Sequence, residues 1–110
     1  MAIINGTSSS DTLTGSAGND SIYGYDSNDL LYGGGGADYL NGGAGSDIML
    51  GGAGDDALVV DQLSDAVVEA ADEGVDRVDA YINYTLGANV ENLKLYGSAT
   101  IGTGNGLSNT

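Results

Sequence analysis

The chain contains no cysteine, proline, histidine, tryptophan or phenylalanine, and its only bases are Arg77 and Lys94. Without cysteine there are neither disulfides nor thiolate metal sites, so an extracellular chain of this size needs another staple. With no histidine or cysteine and a single lysine, the usual nucleophile–base pairs cannot be assembled. A carboxylate pair for glycoside hydrolysis stays formally open, but no Trp or Phe is present to cradle a sugar; the expectation is a chain that is itself non-catalytic. Two cations cannot form the basic stripe that nucleic acid requires, and anionic membranes and polyanionic sugars are disfavoured for the same reason. No apolar run approaches the roughly 20 residues of a membrane span. The opening "MAIINGTSSS" lacks the basic segment of an export signal.

What the 110 residues do contain is 16 acidic groups, giving a net charge of −14, and 20 glycines. Cations are the natural counterparts of such a chain. Glycine-rich acidic sequence is usually disordered, yet here it holds a register of nine. The blocks are GTSSSDTLT (6–14), GSAGNDSIY (15–23), GYDSNDLLY (24–32), GGGGADYLN (33–41), GGAGSDIML (42–50) and GGAGDDALV (51–59). Each opens with glycine, has aspartate sixth (Asp11, Asp20, Asp29, Asp38, Asp47, Asp56) and a large aliphatic eighth (Leu13, Ile22, Leu31, Leu40, Met49, Leu58). A flexible linker keeps no such register. Fixed-period self-similarity is the signature of a repeat architecture.

The last three places of each block favour a short strand whose middle residue alone points inward. The first six places read as loop, with glycines suited to positive φ or close backbone approach. One strand and one loop make half a coil, so two blocks make a coil of eighteen. Alternate blocks then stack: Leu13, Leu31 and Met49 line one sheet, and Ile22, Leu40 and Leu58 face them from the other. Six aliphatic side chains are few against the cost of ordering so much backbone, and stacked aspartates repel. Calcium answers both problems. It accepts 6–8 oxygen ligands at about 2.3–2.6 Å in flexible geometry, from carboxylates and carbonyls alike. Stacked strands place two carboxylates about 4.8 Å apart. Magnesium demands near-ideal octahedral geometry, and zinc would want His or Cys.

The blocks GGAGSDIML and GGAGDDALV resemble the nonapeptide GGxGxDxUx of the RTX (repeats-in-toxin) family, U being a large aliphatic. The resemblance implies an all-β, right-handed parallel β-roll over 6–59, with about three or four calcium ions held between loops of successive coils. It implies ligands from Gly15, Ala17, Gly18 and Asp20; from Gly24, Asp26 and Asp29; and from Gly33, Gly34, Gly35, Gly36 and Asp38. It likewise implies Gly42, Gly43, Ala44, Gly45 and Asp47, and Gly51, Gly52, Ala53, Gly54 and Asp56. Family members are parts of large proteins exported by type I secretion, including toxins, proteases, lipases, epimerases and adhesins. The resemblance therefore implies a secreted module whose partners are calcium and neighbouring domains of a parent protein.

Departures from the pattern rank the sites. Ser16 stands second in its block; Tyr25 and Ser27 stand second and fourth in theirs; Thr7 and Ser9 replace both glycines in the first. The favoured pairs are Asp20 with Asp38, Asp38 with Asp56 and Asp29 with Asp47, while Asp11 with Asp29 is either empty or an N-terminal cap. For Asp26, Asp55, Asp61, Asp65, Asp76 and Asp79 a solvated acidic surface competes with any ligand role, Asp55 or Asp65 being able to complete an end site. Residues 60–110 read as a β-rich segment continuing the solenoid, with strand-like "VDRVDAYINYTL" (75–86) and "VENLKLYG" (90–97). "SDAVVEAADEG" (64–74) fits strand and turn, or a short helix capped by Ser64 and stopped by Gly74. Leu93, Leu95, Ile101 and Leu107 suggest a further coil covering the open end. A rival reading makes the chain an adhesive or carbohydrate-binding module using the rings of Tyr25, Tyr32 and Tyr39.

Overall fold

The computed structural model describes residues 2–62, 65–68, 74–81, 84–85, 92–95 and 102–103, with side chains placed over 3–62, 65–68 and 74–81. The expectations for Ile101, Leu107, the stretch 69–73 and the side chains of Leu93 and Leu95 fall outside these residues. Every regular element among them is a strand: β1 (Ala2–Asn5), β2 (Thr12–Thr14), β3 (Asp20–Tyr23), β4 (Leu30–Gly35), β5 (Tyr39–Asn41), β6 (Ile48–Ala53), β7 (Ala57–Val60), β8 (Ala66–Val68), β9 (Arg77–Ala80), β10 (Tyr84–Thr85), β11 (Asn92–Leu95) and β12 (Gly102–Thr103).

The strands alternate between two sheets, in the orders β1-β3-β5-β7-β9-β11 and β2-β4-β6-β8, while β10 pairs with β12. All pairings are parallel. One file of partners runs Ile4, Ile22, Leu40, Leu58 and Val78. The other runs Leu13, Leu31, Met49 and Val67. The two files are the eighth-place aliphatics of alternate blocks, as the coil of eighteen requires, and this is a parallel β-roll. Ile22, Leu31, Leu40, Met49, Leu58 and Val78 are wholly buried and form one cluster with Val60 and Ala80, against which Ile4, Leu13 and Val67 pack. Single apolar residues flanked by small or polar ones thus make a core only because stacking turns each into a column.

One feature departs from the expected pattern, and one bears on the expected continuation of the solenoid through 60–110. β4 and β6 run six residues, through the opening glycines of the following block, so that Gly34 pairs with Gly52 and Gly35 with Ala53. Absent side chains let these backbones approach as a ladder where a loop was expected. The roll also continues past the sixth block. β8 joins the four-stranded sheet with Ala66 opposite Ile48, and β9 joins the six-stranded sheet with Arg77 opposite Ala57.

Candidate metal centre

The sixth-place aspartates stand in two columns, one on each side of the roll. In each column the backbone N–H of one aspartate donates to the Oδ1 of the aspartate in the next coil. On one side Asp11 donates to Asp29 at 2.7 Å, Asp29 to Asp47 at 2.9 Å and Asp47 to Asp65 at 2.9 Å. On the other, Asp20 donates to Asp38 at 2.8 Å, Asp38 to Asp56 at 2.9 Å and Asp56 to Asp76 at 3.0 Å. The carbonyls of the same residues accept from the strand that follows: Leu30, Ile48 and Ala66 donate to Asp11, Asp29 and Asp47, and Ala57 and Arg77 to Asp38 and Asp56. Asp29, Asp38, Asp47 and Asp56 are each thereby anchored to the coil before through the carboxylate and to the coil after through the main-chain carbonyl.

The second oxygen is where the protein falls short. Oδ2 of Asp29, Asp38, Asp47 and Asp56 is buried with no hydrogen-bond partner, and these four residues are at most 3% exposed. A buried carboxylate oxygen without a donor is strongly unfavourable. Burial accordingly pushes the carboxyls of Asp29 and Asp38 above their ordinary value, that of Asp47 to about 6 and that of Asp56 to about 7. The backbone N–H each accepts opposes the rise, and aspartates in adjacent coils add to it. Such carboxylates call for a cation or a proton.

The glycines shape the space around them. A Cβ on Gly33 would collide with its own block's Asp38 Oδ2 and with the carbonyl of Gly51 in the next coil; at Gly24 it would meet Asp29 Oδ2 and the Gly42 carbonyl. The first glycine therefore leaves open a cradle where an orphan carboxylate oxygen and a carbonyl oxygen converge. At the second and fourth places Gly34, Gly36, Gly43, Gly45, Gly52 and Gly54 all have positive φ and stack on the carbonyl of the corresponding residue one coil earlier. Among the described residues no three acidic side chains converge on one point, so a cation held here would have to draw further ligands from backbone oxygens. Paired hard carboxylates with surrounding carbonyls are a calcium-type donor set.

Residues 5–40 and 26–58 match the family model described as the RTX calcium-binding nonapeptide repeat (4 copies). The repeat segment is an RTX calcium-binding module. No curated protein and no solved structure matches the chain.

Within the RTX module, the expected pairings Asp29–Asp47, Asp38–Asp56 and Asp20–Asp38 are all brought together by the ladder. Gly42, Gly43, Gly45, Gly51, Gly52 and Gly54 line the loops between them, and Ala44 and Ala53 hold the third places, Ala44 donating to the Tyr25 carbonyl. Asp26 is exposed, as are Asp55 and Asp61. The two early loops are built differently. Thr7 closes on Asp11, its N–H reaching Oδ2 at 2.6 Å and its hydroxyl the same oxygen at 3.0 Å. Ser16 does the same to Asp20, at 2.6 and 3.0 Å. Gly15, Ala17 and Gly18 belong to this hydroxyl-closed loop, and Gly18 is not among the positive-φ glycines. Tyr25 and Ser27 keep the glycine conformation without glycine, at φ 77° and 76°. Tyr25 is held there by a bond from its hydroxyl to Asn5, and Ser27 by one to the Ser8 carbonyl.

The solvated-surface reading fails for three residues. Asp65, Asp76 and Asp79 are 8%, 1% and 5% exposed. Asp65 and Asp76 extend the two columns, and Asp79 binds the Arg77 guanidinium at 2.6 and 2.9 Å. The signal for Asp65 lay in the sequence: it follows Asp47 by the same eighteen residues. Asp76 follows Asp56 by twenty, the two extra residues hiding it. Of the three tyrosines of the adhesive reading, Tyr25 stacks on Tyr23 and Tyr39 lies tilted at 54° to the same ring, but Tyr32 stands on β4 in the other sheet.

Proposed function

We propose that this RTX module binds calcium between Asp29 and Asp47 and between Asp38 and Asp56, and folds as it does so. The observation that carries the reading is the set of four buried Oδ2 atoms without partners. The opening glycines supply the carbonyl-lined space, and in the folded roll the aspartate N–H ladder holds each paired carboxylate by its Oδ1. Bound calcium supplies the positive charge that the columns lack. Because the sites exist only when coils are stacked, binding and folding are one process. In a calcium-poor compartment the −14 chain repels itself and stays expanded, a state suited to export; outside, extracellular-type sites of roughly 10⁻⁴–10⁻³ M affinity order it. The module then stabilises or presents a larger secreted parent, which carries any enzymatic activity, and type I export is the route consistent with this.

A calcium titration followed by circular dichroism and hydrodynamic radius tests the proposal. The expected result is a steep gain of strand signal with contraction at sub-millimolar to millimolar calcium, reversed by chelation. A chain already compact and strand-rich in chelator would refute it.

A further inference from the structure

We propose that the outer face of the six-stranded sheet carries a notch between Tyr25 and Asp61 that takes an arginine side chain from a basic segment of a partner protein. The notch follows from the register of eighteen. Leu40 points into the core, so its neighbour Asn41 faces outward. Asn41 pairs with Tyr23 on one side and with Val59 on the other. Two residues further along the same three chains stand Tyr25, Gly43 and Asp61. Gly43 has φ 83° and stacks on the Tyr25 carbonyl, and with no side chain it leaves the middle rung empty. Tyr25 and Asp61 are then walls about 10 Å apart at the main chain, twice the strand spacing. One hollow of about 190 Å³ lies among Tyr23, Tyr25, Asp26, Asn41 and Gly43. A second, of about 240 Å³, lies among Asn41, Val59, Asp61 and Tyr81, and the two share Asn41.

The lining selects the occupant. Tyr25 and Tyr81 are half exposed. The Tyr25 ring is fixed, its hydroxyl donating to Asn5 and its face stacked on Tyr23 at 6.3 Å. A guanidinium is attracted to such a ring face and lies flat on it. An exposed carboxylate stands in each hollow, Asp26 in one and Asp61 in the other, and no base lines either. Desolvation and, after it, a hydrogen bond with the Asp65 carboxyl push that of Asp61 up to about 6. A cation brought to this pair of carboxyls relieves their repulsion. The side chain that both stacks on a ring and pairs with a carboxylate through two parallel bonds is arginine, not lysine. The chain's only arginine, Arg77, is already bound to Asp79 by two bonds, so the guanidinium comes from another molecule.

The test is an NMR titration of the 110-residue chain with end-blocked Gly-Gly-Arg-Gly-Gly, its lysine counterpart and neutral maltopentaose. It is run in whichever of calcium or chelator gives the full strand signal, so that its outcome is separate from that of the calcium reading. Salt is held at about 0.15 M, which screens the general field of the chain beyond roughly 8 Å. The arginine peptide should shift the signals of Tyr25, Asn41 and Gly43 and bind more tightly than the lysine peptide. Tyr25→Gly, which suits the φ of 77°, and Asp61→Asn should each weaken it about three- to fivefold. Tyr32→Ala and Asp55→Asn, an exposed ring and an exposed carboxylate elsewhere, should leave it unchanged. Equal losses in Asp55→Asn and Asp61→Asn would show attraction to the net charge alone and overturn the inference. So would a preference for maltopentaose, a dimer in sedimentation with the same signals shifted, or no shift at millimolar peptide. Should a variant fail to fold, the map on the parent decides: arginine-peptide shifts confined to the notch support the site, and shifts elsewhere overturn it.

Discussion

Replacing Gly52 by alanine tests the loop stacking directly. Gly52 has φ 93°, and a Cβ there would strike the carbonyl of Gly34, its partner across β4 and β6. Holding an L-residue in the left-handed region costs about 1–2 kcal/mol. Relieving the collision means parting the backbones at Gly34 and Gly35, which loses one or two ladder bonds worth about 1 kcal/mol each. Against this, alanine restricts the unfolded chain and returns roughly 0.4–1 kcal/mol. The net expectation is a loss of about 2–3 kcal/mol, a large fraction of the ~5–15 kcal/mol that holds a typical domain together. Ala53→Gly, one residue on, is the control. Ala53 is exposed and does not have positive φ, so its replacement should cost only about 0.5–1 kcal/mol. Denaturant melts of both variants in saturating calcium measure the difference. Equal losses would refute the reasoning, because they would mean that the second-place loops are not in contact across coils.

Two further outcomes follow from the same geometry. In chelator, the raised carboxyls of Asp47 (about 6) and Asp56 (about 7), ordinarily 3.8, make the folded state the better proton binder. Their contribution is full below the unfolded value and is lost as pH rises through 6 and 7. Acidification of the chelated, expanded chain from pH 8 to 4, about the range those values span, should therefore shift it toward the folded state and raise its strand signal, and a strand signal that rises with pH would contradict it. In calcium, Asp38→Ala should cost about 1–3 kcal/mol for the stranded Asp20 N–H and additionally remove an ion-binding carboxylate. Asp11→Ala loses mainly its bonds to Thr7 and should cost about 1 kcal/mol; equal shifts in the calcium midpoint would show that the columns are not paired as described.

The roll was legible because two positions in nine carry it. An aliphatic that alternates sheets and an aspartate that alternates sides define the coil of eighteen and predict which residues meet. Less legible were the features that depend on what a backbone group lacks. Nothing in the spelling of Thr7 or Ser16 says that a hydroxyl replaces a glycine by filling the carboxylate that the glycine leaves open. Asp65 kept the register, but its block, VDQLSDAVV, retains only the sixth and eighth places. Asp76 was displaced by a two-residue insertion, which a fixed period cannot see but a loop between two anchored strands absorbs. The length of β4 and β6 was hidden for another reason: glycine reads as a breaker, although two stacked glycine runs can pair closely.

The aspartate ladder also has a direction. Every link takes its N–H from the coil nearer the N-terminus and its carboxylate from the coil after it. The ladder is therefore polar, and its first carboxylates, Asp11 and Asp20, have no sixth-place aspartate before them in their columns. Thr7 and Ser16 stand at that start with their hydroxyls on Asp11 and Asp20. A column that runs one way needs a different device at its first member than anywhere else along it, and these two loops carry their donors within themselves.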